Sequence, residues 1–190
     1  MWILFLLFSC FSYKVATNSD TSPIIVEYED PKPVFEYCEN NLGEHACNFE
    51  AIDQDGMPVE LYDLYGAPIV LDFAAMWCGP CNAAGSEAQM IQDRYLGSDL
   101  VYLTLLIENH SREEPSAEDI ANWVESHGII SAPVWGASRE LINNDDQTLG
   151  WFLQGWPTFY FINSELLVEG YVRGYSEESL VQGIEMIINN

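Results

Sequence analysis

The sequence predicts an α/β fold in which a central mixed β-sheet is flanked by helices and preceded by an N-terminal extension. Two short, almost uninterrupted apolar runs, Ala67–Ala74 (APIVLDFA) and Leu100–Ile107 (LVYLTLLI), have the pattern of strands buried on both faces. Each is followed by a segment of helical periodicity, and that alternation makes the two strands parallel neighbours. Further on, Pro157–Asn163 and Leu166–Arg173 read as strands joined by a tight turn, an antiparallel hairpin, so the sheet runs in both directions.

In chain order, residues 1–16 form a signal peptide or hydrophobic anchor. Met1–Phe11 (MWILFLLFSCF) is an apolar run of signal length, too short for the roughly 20 residues of a membrane-crossing helix. It lacks the usual basic n-region. Leu7-Phe8-Ser9-Cys10 resembles a lipoprotein cleavage box in which Cys10 would be lipidated, although Phe8 fits that box poorly. Cleavage after a small residue such as Ser12, or retention as an anchor, equally places the domain outside the cytosol. Residues 17–34, with Pro23, Pro31 and Pro33 among polar and acidic residues, read as an extended tether. The domain occupies residues 35–190. It opens with a β element over Asn48–Ile52, turns at Asp55-Gly56 and resumes over Pro58–Leu61.

The Ala67–Ala74 strand runs into Cys78-Gly79-Pro80-Cys81, and the helix that follows to Leu96 repeats Ala84, Ala88, Ile91 and Tyr95 at helical spacing. After Leu100–Ile107 comes a polar loop with Pro115, then a helix over Ser116–His127. Ser116 and Asp119 make an approximate capping box there, and Gly128 is the stop. The hairpin is followed by a last helix over Glu177–Ile188.

Composition narrows the function. Thirty acidic side chains against six basic ones give a formal net charge of −24, which opposes phosphate backbones and anionic headgroups and so excludes nucleic acid as a charge-driven partner. The same charge favours solubility and attracts basic partner surfaces. A content of 48% hydrophobic residues, 13% of the chain being aromatic, suffices for one ordinary core. His45, His110 and His127 are scattered among polar segments, so no metal site is expected. Trp123, Trp135 and Trp151 read as core or groove-rim aromatics, and Glu108 as a solvated loop carboxylate.

The chemistry lies in the cysteines. A Cys-X-X-Cys where a strand feeds a helix is the arrangement thiol–disulfide exchange needs, because free backbone N–H groups and the helix dipole stabilise a thiolate there. Cys78 would be the attacking thiolate. Cys81, one turn inward and better shielded, would resolve the mixed disulfide. The alternative, half of a zinc site, lacks a second Cys-X-X-Cys or His pair. Cys38 and Cys47 flank the polar stretch ENNLGEHA and admit three readings: a structural disulfide, two free thiols, or zinc ligands with His45. The disulfide is the reading carried forward.

Leu71–Cys81 (LDFAAMWCGPC) resembles the thioredoxin signature, including Trp77 before the first cysteine, and Asp72 and Trp156-Pro157-Thr158 match further superfamily positions. The resemblance implies a thioredoxin fold, a substrate groove formed by Trp77, Gly79, Pro80, Trp156, Pro157 and Thr158, and a cis peptide at Pro157. There a substrate chain could pair like a strand. It also implies that Asp72, buried in an apolar strand with a raised pKa, takes the proton of Cys81. Thioredoxin itself partners this aspartate with a lysine, and neither Lys14 nor Lys32 stands in an equivalent place.

The stretch from Cys47 to Ile188 is similar to the extracytoplasmic TlpA and ResA type of thiol–disulfide oxidoreductase. Its opening NFEAIDQDG-PVELYDLYG and its enlarged segment between Glu108 and Gly155 carry that similarity. The resemblance implies a periplasmic or cell-envelope reductase of disulfides in exported proteins, as in cytochrome c biogenesis or copper-site assembly. A membrane thiol reductase would supply electrons, and no cofactor is needed beyond the Cys78–Cys81 disulfide. Three alternatives remain: a dithiol oxidase or isomerase, a thiol peroxidase, and a non-catalytic binding module. A peroxidase of this fold needs Pro and Thr or Ser ahead of its cysteine, where Leu71 and Ala75 stand.

Overall fold

The computed structural model describes residues 32–142 and 150–189. The apolar N-terminal run, Cys10 and the tether up to residue 31 lie outside them. Seven strands form one mixed sheet: β1 (Glu50–Ile52), β2 (Pro58–Glu60), β3 (Ile69–Ala75), β4 (Val101–Glu108), β5 (Val134–Gly136), β6 (Thr158–Ile162) and β7 (Val168–Arg173). Their spatial order is β2-β1-β5-β4-β3-β6-β7. β3–β4 and β4–β5 pair in parallel, whereas β6 and β7 complete one edge and β1 and β2 the other in antiparallel fashion. Three helices complete the domain: α1 (Gly79–Arg94), α2 (Ala117–His127) and α3 (Glu177–Ile188).

β3 is central because every one of its side chains is buried, as its apolar run dictates. Its alternate residues face two separate layers. Val70 and Ala74, with Tyr102, Leu106 and Phe159, pack under the helices against Ala84, Ile91, Trp123, Leu180 and Ile184. Ile69, Leu71 and Phe73 face the other way, where Phe49, Leu61, Trp151 and Leu166 cover the sheet. The three tryptophans assigned to packing, Trp123, Trp135 and Trp151, are all buried.

Local signals set the helix ends. Ser116 caps α2 in a reciprocal box with Asp119, and Gly128 stops it in the left-handed conformation at φ 63°. Two glutamines lock α1 onto its neighbours. Gln92 is buried and donates to the Leu100 carbonyl (2.6 Å) while accepting from the Tyr102 N–H (2.8 Å). The Gln89 side-chain oxygen accepts from Ile130 and Ser131 at 2.7 and 2.8 Å. α1 and α2 approach closely because Gly85 has no side chain; a Cβ there would stand 2.7 Å from the Trp123 ring.

A disulfide joins Cys38 to Cys47, with Cα atoms 5.0 Å apart. It closes a loop that the Asn40 side chain also ties, accepting from the Cys47 N–H at 2.8 Å. No helix among the described residues is long and apolar enough to cross a membrane.

Candidate active site

β3 ends at Ala75, and three residues later Cys78 caps α1, with Gly79 and Pro80 filling the first helical positions. Proline suits that place because its missing N–H would have no intrahelical partner there. The Cys78 sulfur accepts from the Cys81 N–H at 3.2 Å and is bonded to the Cys81 sulfur, so the site stands in its oxidised state. Cys78 retains 4% of its surface and Cys81 none. Access is therefore to Cys78. Asn82 fixes the turn from beneath, its amide donating to the carbonyls of Met76 (3.0 Å) and Cys78 (2.8 Å). The sequence reading assigned Asn82 no part, since an amide in the second turn of a helix carries no signal of its own.

Beside the cysteines, the Trp156–Pro157 peptide is cis, and the Trp156 ring meets Trp77 edge to face with centroids 6.3 Å apart. Pro157 and Thr158 are buried, and the Thr158 hydroxyl donates to the Gly155 carbonyl at 2.8 Å. Gly79 and Pro80 are exposed at the rim. The structure thus gathers Cys78, Trp77, Gly79, Pro80, Trp156, Pro157 and Thr158 at the carboxyl ends of β3 and β4.

Asp72 points to the same sheet face as Val70 and Ala74, toward the layer that holds Cys81. Full burial pushes its pKa up to about 7, against a hydrogen bond from the Tyr102 hydroxyl to Oδ2 at 3.1 Å that works the other way. Its Oδ1 has no hydrogen-bond partner among the described residues. Tyr102, rather than a lysine, is the side chain that hydrogen-bonds Asp72. Its own pKa is raised well above the ordinary value by burial and by the adjacent carboxyl.

Glu108 corrects the sequence reading. Instead of a solvated loop carboxylate it is the last residue of β4 and 1% exposed. One carboxylate oxygen accepts from the Trp77 indole N–H at 2.7 Å, the other is ion-paired with Arg139, and its carbonyl accepts from the Met76 N–H at 2.9 Å. The Arg112 guanidinium lies over the Trp77 ring, 4.0 Å from the centroid. A buried carboxylate needs such partners, since desolvating an unpaired charge is costly. The available signal was its position, the last residue of an apolar strand that runs parallel to the cysteine-bearing one.

Among the described residues no group of His, Cys, Asp and Glu side chains is arranged to hold a metal ion. The buried Cys78–Cys81 pair beside the cis peptide before Pro157 can exchange electrons with a substrate disulfide.

The sequence profile of the AhpC/TSA family matches residues 42–169. The chain belongs to the AhpC/TSA family. Within the thioredoxin superfamily, this AhpC/TSA domain is similar to the thiol–disulfide oxidoreductase ResA of Bacillus subtilis, with 26% identity over 73% of the chain and 71% of that protein. Its fold is shared with a thiol:disulfide interchange protein of Chlorobium tepidum (TM-score 0.61, 23% identity, covering 76% of this chain and 95% of that one). A secreted disulfide oxidoreductase of Mycobacterium tuberculosis also superposes, at a TM-score of 0.56 and 15% identity over 73% of this chain and 95% of that one. The ResA-like resemblance and the thioredoxin-like mixed sheet read from the sequence both stand.

Proposed function

We propose that this AhpC/TSA domain is an exported protein-disulfide reductase working through Cys78 and Cys81. The observation that carries the reading is the exchangeable Cys78–Cys81 pair at the N-terminus of α1, with Cys78 alone retaining surface, next to the cis peptide before Pro157. The similarity to ResA and to interchange proteins supports it. Export is supported by the Cys38–Cys47 disulfide, which persists in oxidising compartments, by the apolar N-terminal run and by the likeness to a secreted oxidoreductase. The N-terminal run would serve as signal or membrane anchor.

In the reduced protein, the Cys78 thiolate attacks one sulfur of a substrate disulfide, forming a mixed disulfide and releasing one substrate thiolate. Cys81 then loses its proton to Asp72 and attacks the Cys78 sulfur, which reforms the Cys78–Cys81 disulfide and releases the second substrate thiolate. Two electrons pass to the substrate. A membrane thiol reductase would return them. Asp72, with a pKa near 7, sits close to neutral pH, where a general base exchanges protons most readily.

The test is turnover of a disulfide-bonded substrate with a dithiol donor. Cys78→Ser should abolish it, and Cys81→Ser should trap the mixed disulfide. Unchanged turnover in Cys78→Ser would leave only a binding module. Faster oxidation of dithiols than reduction of disulfides would favour an oxidase or isomerase, and Cys78-dependent peroxide consumption a peroxidase.

A further inference from the structure

We infer that Arg112 and Arg173 form a cationic clamp across the mouth of the site that selects substrate segments bearing acidic residues next to their cysteines; this rests on the disulfide-reductase reading. The inference starts from where the few positive charges lie. The described cations are Lys32, Arg94, Arg112, Arg139 and Arg173. Lys32 is paired with Glu60 and Asp63, Arg94 with Glu177 at 3.1 Å, and Arg139 with the buried Glu108. Arg112 and Arg173 make no ion pair among the described residues. Both are exposed, and both border the site.

Each is held there by local structure. Arg112 lies over Trp77, the residue before Cys78, with its backbone in the left-handed region at φ 65°. A side chain other than glycine adopts that conformation at an energetic cost, so something must hold it. Asn109 does so. Its side-chain oxygen accepts from the Ser111 and Glu113 N–H groups at 2.9 and 3.1 Å, its carbonyl accepts from the Arg112 N–H at 3.0 Å, and its amide reaches Asp119 of α2 at 3.3 Å.

Arg173 ends β7 opposite Thr158. Its stem lies over Gly155, where a Cβ would come within 3.3 Å of it, and its guanidinium donates to the Gln154 carbonyl at 3.3 Å. The contacts therefore run without a break from Arg112 through Trp77 and Trp156 to Gly155 and Arg173.

The net charge of −24 repels acidic partners at long range. In 0.15 M salt, however, charges beyond about 8 Å are largely screened, so the side chains touching the substrate decide at contact. Arg139 neutralises the buried Glu108, and the exposed Glu113 and Glu114 on the Arg112 loop make no ion pair with Arg112. Two unpaired guanidiniums bordering a groove in which a substrate runs as a strand are complementary to carboxylates a few residues to either side of the target cysteine. Guanidinium and carboxylate pair in a fork geometry that an ammonium cannot reproduce.

The experiment compares kcat/KM for two synthetic peptides, each with one intramolecular disulfide, flanked in one by aspartates and in the other by serines. Arg112→Gln and Arg173→Gln should each lower the acidic-to-neutral ratio about threefold, and together about tenfold, as partly exposed charge pairs do. Arg112→Lys and Arg173→Lys keep the charge but not the fork and should give an intermediate ratio, whereas Arg94→Gln, remote from the mouth, should leave it unchanged. A ratio unchanged in the double glutamine variant would overturn the clamp, as would equal losses on both peptides. No turnover of either peptide by the unaltered protein would overturn the reductase reading itself, and the clamp with it.

Discussion

Replacing Asp72 by Asn separates the energetic cost of the site from its chemistry. The carboxyl is fully buried, and burial outweighs the Tyr102 hydrogen bond, raising its pKa from 3.8 to about 7. In the unfolded chain the group ionises near 3.8; in the folded protein it keeps its proton until about pH 7. Between those values the unfolded state is favoured by losing a proton that the folded state retains. Stability is thus whole below about pH 4, falls as pH rises, and is lowest above pH 7, where the displacement corresponds to about 4 kcal/mol. Asparagine carries no charge at any of these pH values and can still accept from Tyr102. The advantage of Asp72→Asn over the unaltered protein should therefore grow from near zero at pH 4 to about 2–4 kcal/mol at pH 8 in urea unfolding. Taking the difference between the two proteins cancels the contribution of the other carboxylates. The same substitution should slow release of the second substrate thiol and leave formation of the mixed disulfide intact. A difference that stays flat between pH 4 and pH 8 would refute the argument that Asp72 is destabilised by burial.

Arg139→Ala should lower stability by about 1–3 kcal/mol, because it leaves the buried Glu108 carboxylate without its counter-charge, and the loss should largely vanish in a Glu108→Gln background; a double-mutant cycle of urea midpoints measures this. Removing the Cys38–Cys47 disulfide by paired serine substitution should cost about 2–3 kcal/mol, the value for so short a loop, with the Cys78–Cys81 disulfide kept oxidised in both proteins so that urea midpoints report the first disulfide alone. Gly183→Ala, a change that stabilises an exposed helix, should instead destabilise by about 2 kcal/mol or more, since its methyl group would overlap the buried Phe161 ring beneath α3; thermal unfolding decides the sign.

The parts of this protein legible in its sequence are those whose signals are local. β3 announces itself as an apolar run, the Cys-Gly-Pro-Cys turn as a break followed by helical spacing, and α2 by its box at Ser116 and its stop at Gly128. β5 was not legible. Its three residues, Val134–Gly136, are a strand only because β4 lies beside them in parallel and β1 pairs on their other edge. Glu108 was misread for a related reason: nothing near it in sequence announces that Trp77 and Arg139, about thirty residues away on either side, will meet its two oxygens. Tyr102 belongs to the same group. It reads as one more strand aromatic until β3 and β4 pair in register and bring its hydroxyl to Asp72. Arg112 sits in a polar loop whose shape is set by Asn109, and its place over Trp77 follows from that loop rather than from any motif.

The central claim is that Cys78 and Cys81 form a reducing two-electron couple. Its most direct test is equilibration of the domain with graded thiol–disulfide buffers, with the reduced fraction of each cysteine read by differential alkylation and mass spectrometry. A single two-electron transition near the thioredoxin value of about −270 mV is the predicted result. A midpoint near the DsbA value of about −120 mV would make the protein an oxidant, and a pair that does not titrate as a two-electron couple would contradict the account altogether.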